Sequence, residues 1–489
     1  YMKGIWKIGK RGIFTGEIVQ YGSRREIHHP EADWLDDDAD LAAIMAADPV
    51  NFGRTVPVYP LTEGLQQKAL RRVLKSVVDS YAPAVCSFVP PEILKRQSLL
   101  LLSDALREVH FPGSETDIAP LNGRVTQAHR TLAFDEFGTK GNFYTYTIIH
   151  CNADWKTSDY LKSEYVEPFT NEQITNITYS NNTLKDYVHY EVSFTNDNIK
   201  ILKSGNYIVS VYSENEEEPL FTKKFYVAEA TPVSINANIK QATDLSEKLK
   251  KQELDIVVGK STITNTANVK LFIQQNGRTD NMVSLRPSSS NSDELIYDYD
   301  KENVFDGGSE FRGFDIKSVR YKLDHVEALE LRDNGNHAFL YADKQRRYQA
   351  YESVTDINGR QYFKTEDYDN QMTAEYVWVH FFIPMQPLLD PGTIYIFGEL
   401  TQWKYIPEAM MTYNQKLGGY QGALMVKQGY YNYQYIFVPK GSFVGDVEVM
   451  EGNHWETEND YTIFIYYRPD GAVADKLIGV KTVNSAGKK

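Results

Sequence analysis

The chain has 489 residues, 42% of them hydrophobic and 24% charged, with a formal net charge of −14. This composition excludes a disordered, collagenous or disulfide-scaffold chain, and the length gives a prior of three or four domains. No apolar run approaches the ~18 residues of a membrane-crossing helix, and the acidic balance disfavours a surface built throughout to hold nucleic acid.

The averages conceal a break. Residues 1–137 hold 16 Lys/Arg and 18 Asp/Glu, close to neutrality, whereas the rest hold 36 and 48. Of 34 tyrosines only Tyr1, Tyr21, Tyr59 and Tyr81 precede residue 138. Two stretches of different character are joined. Cys86 and Cys151 fall one in each; they make neither a disulfide framework nor a thiolate metal cluster, although a single bridge between them stays open. No basic-then-apolar leader follows Tyr1, as expected of a processed chain or one that begins inside a longer reading frame.

In the first stretch, residues 12–19 alternate between bounding glycines and Arg24–His29 resumes the pattern, which predicts a β-hairpin of a small barrel. Asp36–Asp38 and Asp40 read as a solvated acidic loop. After Pro57-Val-Tyr-Pro60, the spacing of Leu65, Leu70, Val73, Leu74, Val77 and Val78 predicts an amphipathic helix, and a second is expected over about 98–109, ending before Pro112.

Val56-Pro-Val-Tyr-Pro-Leu-Thr-Glu-Gly-Leu65, Gln67-Lys-Ala-Leu-Arg-Arg72, Leu102-Ser-Asp-Ala-Leu-Arg-Glu-Val-His-Phe-Pro112 and His28-His29-Pro30-Glu31 resemble the wedge domain of the RecG branched-DNA helicase. Ala128-His-Arg-Thr-Leu-Ala-Phe-Asp-Glu-Phe137 resembles the linker to that helicase's motor. The resemblance implies an oligonucleotide-binding barrel, here partial, because the family's wedge has further sequence upstream of Tyr1; open sheet edges follow. It implies branched DNA as partner, with Lys10, Arg11, Arg24, Arg25 and His28 as candidate contacts and Trp6, Phe14 and Tyr21 as stacking faces. The alternative for the same residues is barrel-surface charge and barrel-core aromatics.

A motor needs a phosphate loop. Val258-Gly259-Lys260-Ser261-Thr262 carries the closing Gly-Lys-Ser, but Leu254 stands where the opening glycine belongs, and the flanks read as strand and turn with no helix to cap a phosphate. No ATPase is expected.

From residue 142 short runs of β-branched and aromatic residues recur between Asn/Gly/Asp/Ser clusters: 143–149, 187–194, 206–212, 223–227, 254–258 and 269–274. This spacing predicts β-sandwiches. Residues 241–252 read as an exposed connection or a brief helix. Tyr395-Ile-Phe-Gly-Glu-Leu-Thr-Gln-Trp403, Tyr420–Val426 and Gln428-Gly-Tyr-Tyr-Asn-Tyr-Gln-Tyr435 resemble the early-set sandwiches used as glycogen-type carbohydrate-binding modules. That resemblance implies a stacking platform of Trp403, Tyr420, Tyr431 and Tyr433 for a glycan or a partner; the competing reading packs them in the core.

His150-Cys-Asn-Ala-Asp-Trp155, Ser204-Gly-Asn-Tyr-Ile208, Gln275-Asn-Gly-Arg278, Gly308-Ser-Glu-Phe-Arg312, Asp356-Ile-Asn-Gly359, Gly398-Glu-Leu-Thr401, Lys427-Gln-Gly-Tyr-Tyr-Asn-Tyr433 and Glu451-Gly-Asn-His-Trp-Glu-Thr-Glu-Asn-Asp-Tyr461 together resemble the plug protein of the type 9 secretion system of Bacteroidota. The resemblance covers about 138–489. It implies a periplasmic, non-enzymatic β protein that closes a SprA-like outer-membrane translocon, and marks His150, Asp154, Trp155, Glu310, Arg312, Glu451 and Trp455 as structural motif residues. Asp154-Trp155 and Glu310-Phe311-Arg312 read as inter-module clasps, and Asn206 and Asn358-Gly359 as turns needing positive φ. The oxygen-rich 451–460 stretch lacks EF-hand spacing and reads as a polar turn.

The scattered histidines form no catalytic or metal constellation, so no catalytic residue, metal or small-molecule cofactor is expected. The expected fold is mainly β: tandem Ig-like or early-set sandwiches after a partial OB-fold barrel with a helical hairpin. The expected parts are 1–60 (partial OB-fold), 61–137 (helical linker region), 138–230, 231–385 and 386–489 (three sandwiches). The expected function is translocon plugging by protein–protein contact, with branched-DNA binding and glycan binding as alternatives. The two resemblances imply different compartments, cytoplasm and periplasm, so the expectation is a fusion or fragment joined near Leu132–Phe137.

Overall fold

The computed structural model describes residues 11–21, 24–36, 39–40, 44, 47–52, 66–81, 131–167, 171–193, 199–229, 232–368 and 370–488. The chain divides into two compact units, Tyr1–His129 and Arg130–Lys489.

In the first unit, strands Arg11–Tyr21 and Arg24–Leu35 pair antiparallel as the expected hairpin, with one register shift between Thr15 and Glu17. The helix runs Gln67–Tyr81. Among the helix residues whose burial is described, Arg71 and Val78 are buried, and Leu74 packs with Val78 on Val50. Val73 and Val77, expected inside, are exposed. Asp48 holds the helix to the preceding turn through Arg72 at 2.6 Å and Asn51. The second helix of the hairpin lies outside the described residues.

The second unit is built of three β-sandwiches. In the first, strands Thr145–Cys151, Gly205–Tyr212, Phe221–Val227 and Glu172–Gln173 form one sheet and Thr131–Phe137, Tyr187–Ser193 and Asn176–Tyr179 the other. Period-2 alternation sends Tyr146, Ile148, Val188, Tyr190, Tyr207 and Val209 into one core. Thr131–Phe137, expected to belong to the helicase-like stretch, is a full strand of this sandwich, paired residue for residue with Tyr187–Ser193. Leu132 and Phe134 enter the core while Asp135 and Phe137 face outward, so the division between the parts falls before this strand.

The division expected at 385/386 does not follow the sheets. Strand Val269–Gln275 pairs on one side with Val283–Leu285 and on the other with Asp460–Tyr467, which pairs in turn with Lys476–Asn484. The opposite sheet contains Ile235–Gln241, Lys251–Gly259, Glu294–Tyr297 and Val304–Asp306. Leu254, Ile256, Leu271, Ile273, Ile463 and Ile465 share this core. Residues 232–306 and 458–484 therefore make one discontinuous frame sandwich. Each such side chain contributes roughly 1.5–3 kcal/mol on burial, and half of the sheet comes from the far end of the chain.

Between the two halves of the frame sits the third sandwich. Its five-stranded sheet runs Val326–Arg332, Gly335–Leu340, Tyr376–Pro384, Gly419–Lys427, Thr412–Asn414, with one parallel pair. Its other sheet centres on Gly429–Pro439, flanked by Arg312–Asp315, Gln361–Phe363 and Gly392–Phe397. Residues 243–250 form the exposed turn expected there.

Candidate functional site

Some of the motif residues lie at the seams between the sandwiches and others lie within a single sandwich. The chain leaves the frame at 306–311 and returns at 451–459, and the two crossovers are laced together by amides. Gly308 N donates to Asn453 Oδ1 at 2.8 Å, His454 N to Gly308 O at 2.9 Å and Asn459 Nδ2 to Gly307 O at 2.9 Å. Gln252, buried in the frame, donates to the carbonyls of Trp455 and Thr457 at 2.6 and 2.7 Å and accepts from Tyr461 Oη at 2.7 Å. Asn276 and Asn459 bond each other at 2.7 Å. Buried amides cost free energy unless bonded, and these are bonded to each other and to backbone. A Cβ on Gly307 would lie 1.9 Å from His454 O, so only glycine permits this approach. The oxygen-rich 451–460 stretch is this return crossover.

Arg312 opens the strand Arg312–Asp315 of the inserted sandwich, its side chain nearly enclosed. Its Nε and Nη2 donate to both oxygens of Glu451 at 3.0 and 2.9 Å, and Nη1 donates to Asp343 at 2.8 Å. Arg346 Nε reaches Glu451 at 2.7 Å, and Tyr433 and Tyr435 donate to Asp343 at 2.7 Å each. Burial pushes both acids up, but His325, Arg312 and the tyrosine hydroxyls hold Asp343 down at about 2, and Arg312 and Arg346 hold Glu451 below the usual range. The bidentate fork expected of Arg312 is present, but it closes within one sandwich rather than between two. Glu310 is the residue of that motif that crosses the seam, accepting from Glu458 N at 3.2 Å and from Tyr351; burial raises its pKa.

His150 is fully buried, with Nδ1 2.8 Å from Ser158 Oγ and Nε2 3.1 Å from Ser204 O. Burial lowers its pKa. Cys151 is a free, buried thiol that burial pushes up to about 11. The following turn is the clasp to the frame, but through Asn152 and Ala153 rather than Asp154-Trp155. Asn152 Oδ1 accepts from Arg468 at 2.8 Å and Asp475 N at 3.0 Å, and Ala153 N donates to Asp475 at 3.0 Å. Asp154 pairs with exposed Lys156, and Trp155, at φ 63°, packs on Tyr226 of its own sandwich. Asn206 lies within a strand rather than a turn; it bonds Asn152 O and accepts from Tyr466 Oη at 2.6 Å. Asn358 and Gly359 do take positive φ, 52° and 76°.

The aromatic platform is not assembled. Tyr431 and Tyr433 are buried in the core. Trp403 is wedged between Phe397 and Phe311, where a Cβ on Gly359 would strike its ring at 2.4 Å. Tyr420 belongs to the other sheet. Early-set tyrosines here pack the core because strand alternation gives every second one to the inner face.

The DNA-contact candidates divide. Arg11 is exposed opposite Leu35 at one end of the hairpin, whereas Arg24 and Arg25 pair with Tyr21 and Gln20 at the other, some ten residues or about 30 Å away. His28 pairs with Glu17 between them. Lys10 lies outside the described residues. The Gly259-Lys260-Ser261 run ends a frame strand, and Lys260 Nζ donates to Asn291 O. Glu253, Asp255 and Asp298 approach one another, with Lys240 Nζ 2.6 Å from Asp255 and 3.1 Å from Glu253.

The contacts that sequence reasoning missed lie at the junction of the first and inserted sandwiches. Asp135 accepts from Lys427 at 2.6 Å and Tyr376 at 2.7 Å and lies 2.6 Å from His189. Phe137 and Tyr187 pack edge-on against Tyr376. Two seams thus hold the first sandwich, one on the frame and one on the insert.

The family model of the type 9 secretion system plug protein 1st domain matches residues 107–229. Residues 107–229 are a type 9 plug first domain. Beyond it, the crystal structure of a hypothetical protein from Parabacteroides merdae superposes with a TM-score of 0.69 at 34% identity, over 73% of this chain and 90% of that one. The two chains belong to one family. The matched residues include Thr131–Phe137, the strand that pairs with Tyr187–Ser193 in the first sandwich. Short stretches also match RecG helicases: 39% identity over 66 residues with the Borreliella burgdorferi enzyme and 29% over 136 residues with that of Escherichia coli K12. These cover 14% and 28% of this chain, which spans only 10% and 18% of the length of those relatives. Among the described residues no helix is long and apolar enough to cross a membrane.

Proposed function

We propose that the second unit is a non-enzymatic periplasmic component of the type 9 secretion system that closes a SprA-like outer-membrane translocon by protein–protein contact. The match of the plug first domain carries this reading. The build of the unit supports it: three sandwiches locked by buried amides and ion pairs make a body that resists deformation, as an occluding part requires. His150 is enclosed, and His337 stacks on His380, whose pKa burial lowers to about 4. Affinity purification of the full chain from a type 9 envelope tests the reading: the translocon should co-purify, and its absence under conditions that retain other envelope complexes overturns the proposal.

A second reading concerns the first unit alone. The helicase matches favour a motorless wedge fragment that holds branched DNA through the hairpin Arg11–Leu35. Fork-DNA gel shifts of the full chain over a salt series test it, and mobility unchanged at low salt overturns it. Sequencing genomic DNA across residues 120–150 separates a true fusion from a joining artefact.

A further inference from the structure

We infer that the inserted sandwich presents one end, the loops 385–391, 415–418 and 440–444, as the surface that enters an apolar recess of the translocon protein, while Gly445 N bonds Tyr405 Oη at 2.9 Å and closes the third loop back toward the frame; this rests on the translocon-closing reading above. The three loops lie at one end because Pro384 pairs with Gly419 and Gly392 with Pro439. Leu389 is 99% exposed and Phe443 90%, and the same three loops carry Leu417 at 59% and Val444 at 50%. Apolar side chains this bare, gathered from three loops, mark a contact surface rather than scattered surface residues.

The loops are held, which keeps the tip presented. Met385 and Leu388 pack on the core while Leu389 turns out. Leu388 N donates to Tyr420 Oη at 3.1 Å, and Lys440 N to Pro391 O at 2.9 Å, so the central loop is tied to both neighbours. Ser442 Oγ donates to Val444 O at 2.8 Å and accepts from Val444 N at 3.0 Å. A tip ordered before contact loses little conformational entropy on binding.

Charge selects a protein over a lipid surface. Within the three loops the charged residues are Asp390, Lys416 and Lys440, in a chain of net −14. Binding to an anionic leaflet relies on clustered cations, which the tip lacks. A surface low in charge and carrying an aromatic is the composition of a protein interface core.

The test uses the full chain, the SprA-like translocon purified in detergent, and the variants Leu389→Asp/Phe443→Asp and Leu245→Asp; Leu245 is 84% exposed on a frame loop. The tip variant should bind at least tenfold more weakly with an unchanged melting curve, and the Leu245 variant should bind as the wild type does. Wild-type affinity in the tip variant overturns the inference and leaves translocon closing intact. A wild-type chain that ignores the translocon overturns both. Flotation of the wild type, but not the tip variant, with phosphatidylglycerol-containing vesicles overturns the choice of a protein partner.

Discussion

Lys427 Nζ and Asp135 Oδ2 lie 2.6 Å apart, both nearly enclosed, one on the last turn-ward residue of an inserted-sandwich strand and the other on the first strand of the first sandwich. Burial opposes ionisation of Asp135, but His189, Lys427 and Tyr376 together hold its carboxyl below the usual range. The pair joins residues 292 positions apart and fixes one sandwich on another.

Asp135→Asn should therefore weaken this seam. Removing one partner leaves a desolvated ammonium, a loss of about 3–5 kcal/mol for a buried pair. Calorimetry should show the first sandwich unfolding ahead of the rest, and a single unchanged transition would refute the role given to the pair.

Arg312→Met should cost a similar ~3–5 kcal/mol at neutral pH, read from the urea midpoint. Glu451 and Asp343 have depressed folded pKa values, so their stabilisation is complete above the unfolded values near ~4 and is lost as pH falls through the folded ones, about 2 for Asp343. The gap between wild type and variant should narrow from pH 5 to pH 2. A gap that does not vary with pH would show that packing, not charge, accounts for it.

Gly307→Ala places a methyl 1.9 Å from one backbone oxygen and 2.8 Å from another. The expected loss is at or above the ~3 kcal/mol upper end of ordinary overpacking. Gly441→Ala, at φ +85° in open space, should cost only the roughly 1–2 kcal/mol of left-handed strain. Equal losses in chemical denaturation would contradict the crossover geometry.

Cys151 should resist iodoacetamide in the folded protein at pH 8, because burial raises its pKa to about 11 and removes it from solvent. Peptide mass spectrometry should find it modified in urea and unmodified without; rapid native labelling would refute its burial.

Much of the fold was legible along the chain. The hairpin and helix of the first unit and the strands near 145–151, 187–193, 205–212, 251–259 and 269–275 follow from alternation and turn residues, which are local properties. The motif runs around His150, Arg312 and Glu451 were also visible, but their partners were not. Asn152 meets Asp475, Arg312 meets Asp343 and Glu451, and Gln252 meets the 455–457 carbonyls. No spacing rule connects residues that lie from 31 to 323 positions apart.

The aromatic positions show the same limit. Alternation predicts that some tyrosines of 429–435 face inward, yet it does not say which face is covered, and the packing of Trp403 on Phe311 exists only because the insert folds back beside its own entry strand.

By itself the sequence determined the β character, the change of composition between the parts and the short-range elements, since backbone preference and period-2 burial act over a few residues. The tertiary structure alone decided that the second sandwich is split around the third, that the acidic 451–460 run is a crossover, and that Asp135 belongs to the first sandwich. Those outcomes depend on strands from opposite ends of the unit finding one shared core, where the free energy of burial and of paired amides is gained only when both ends arrive.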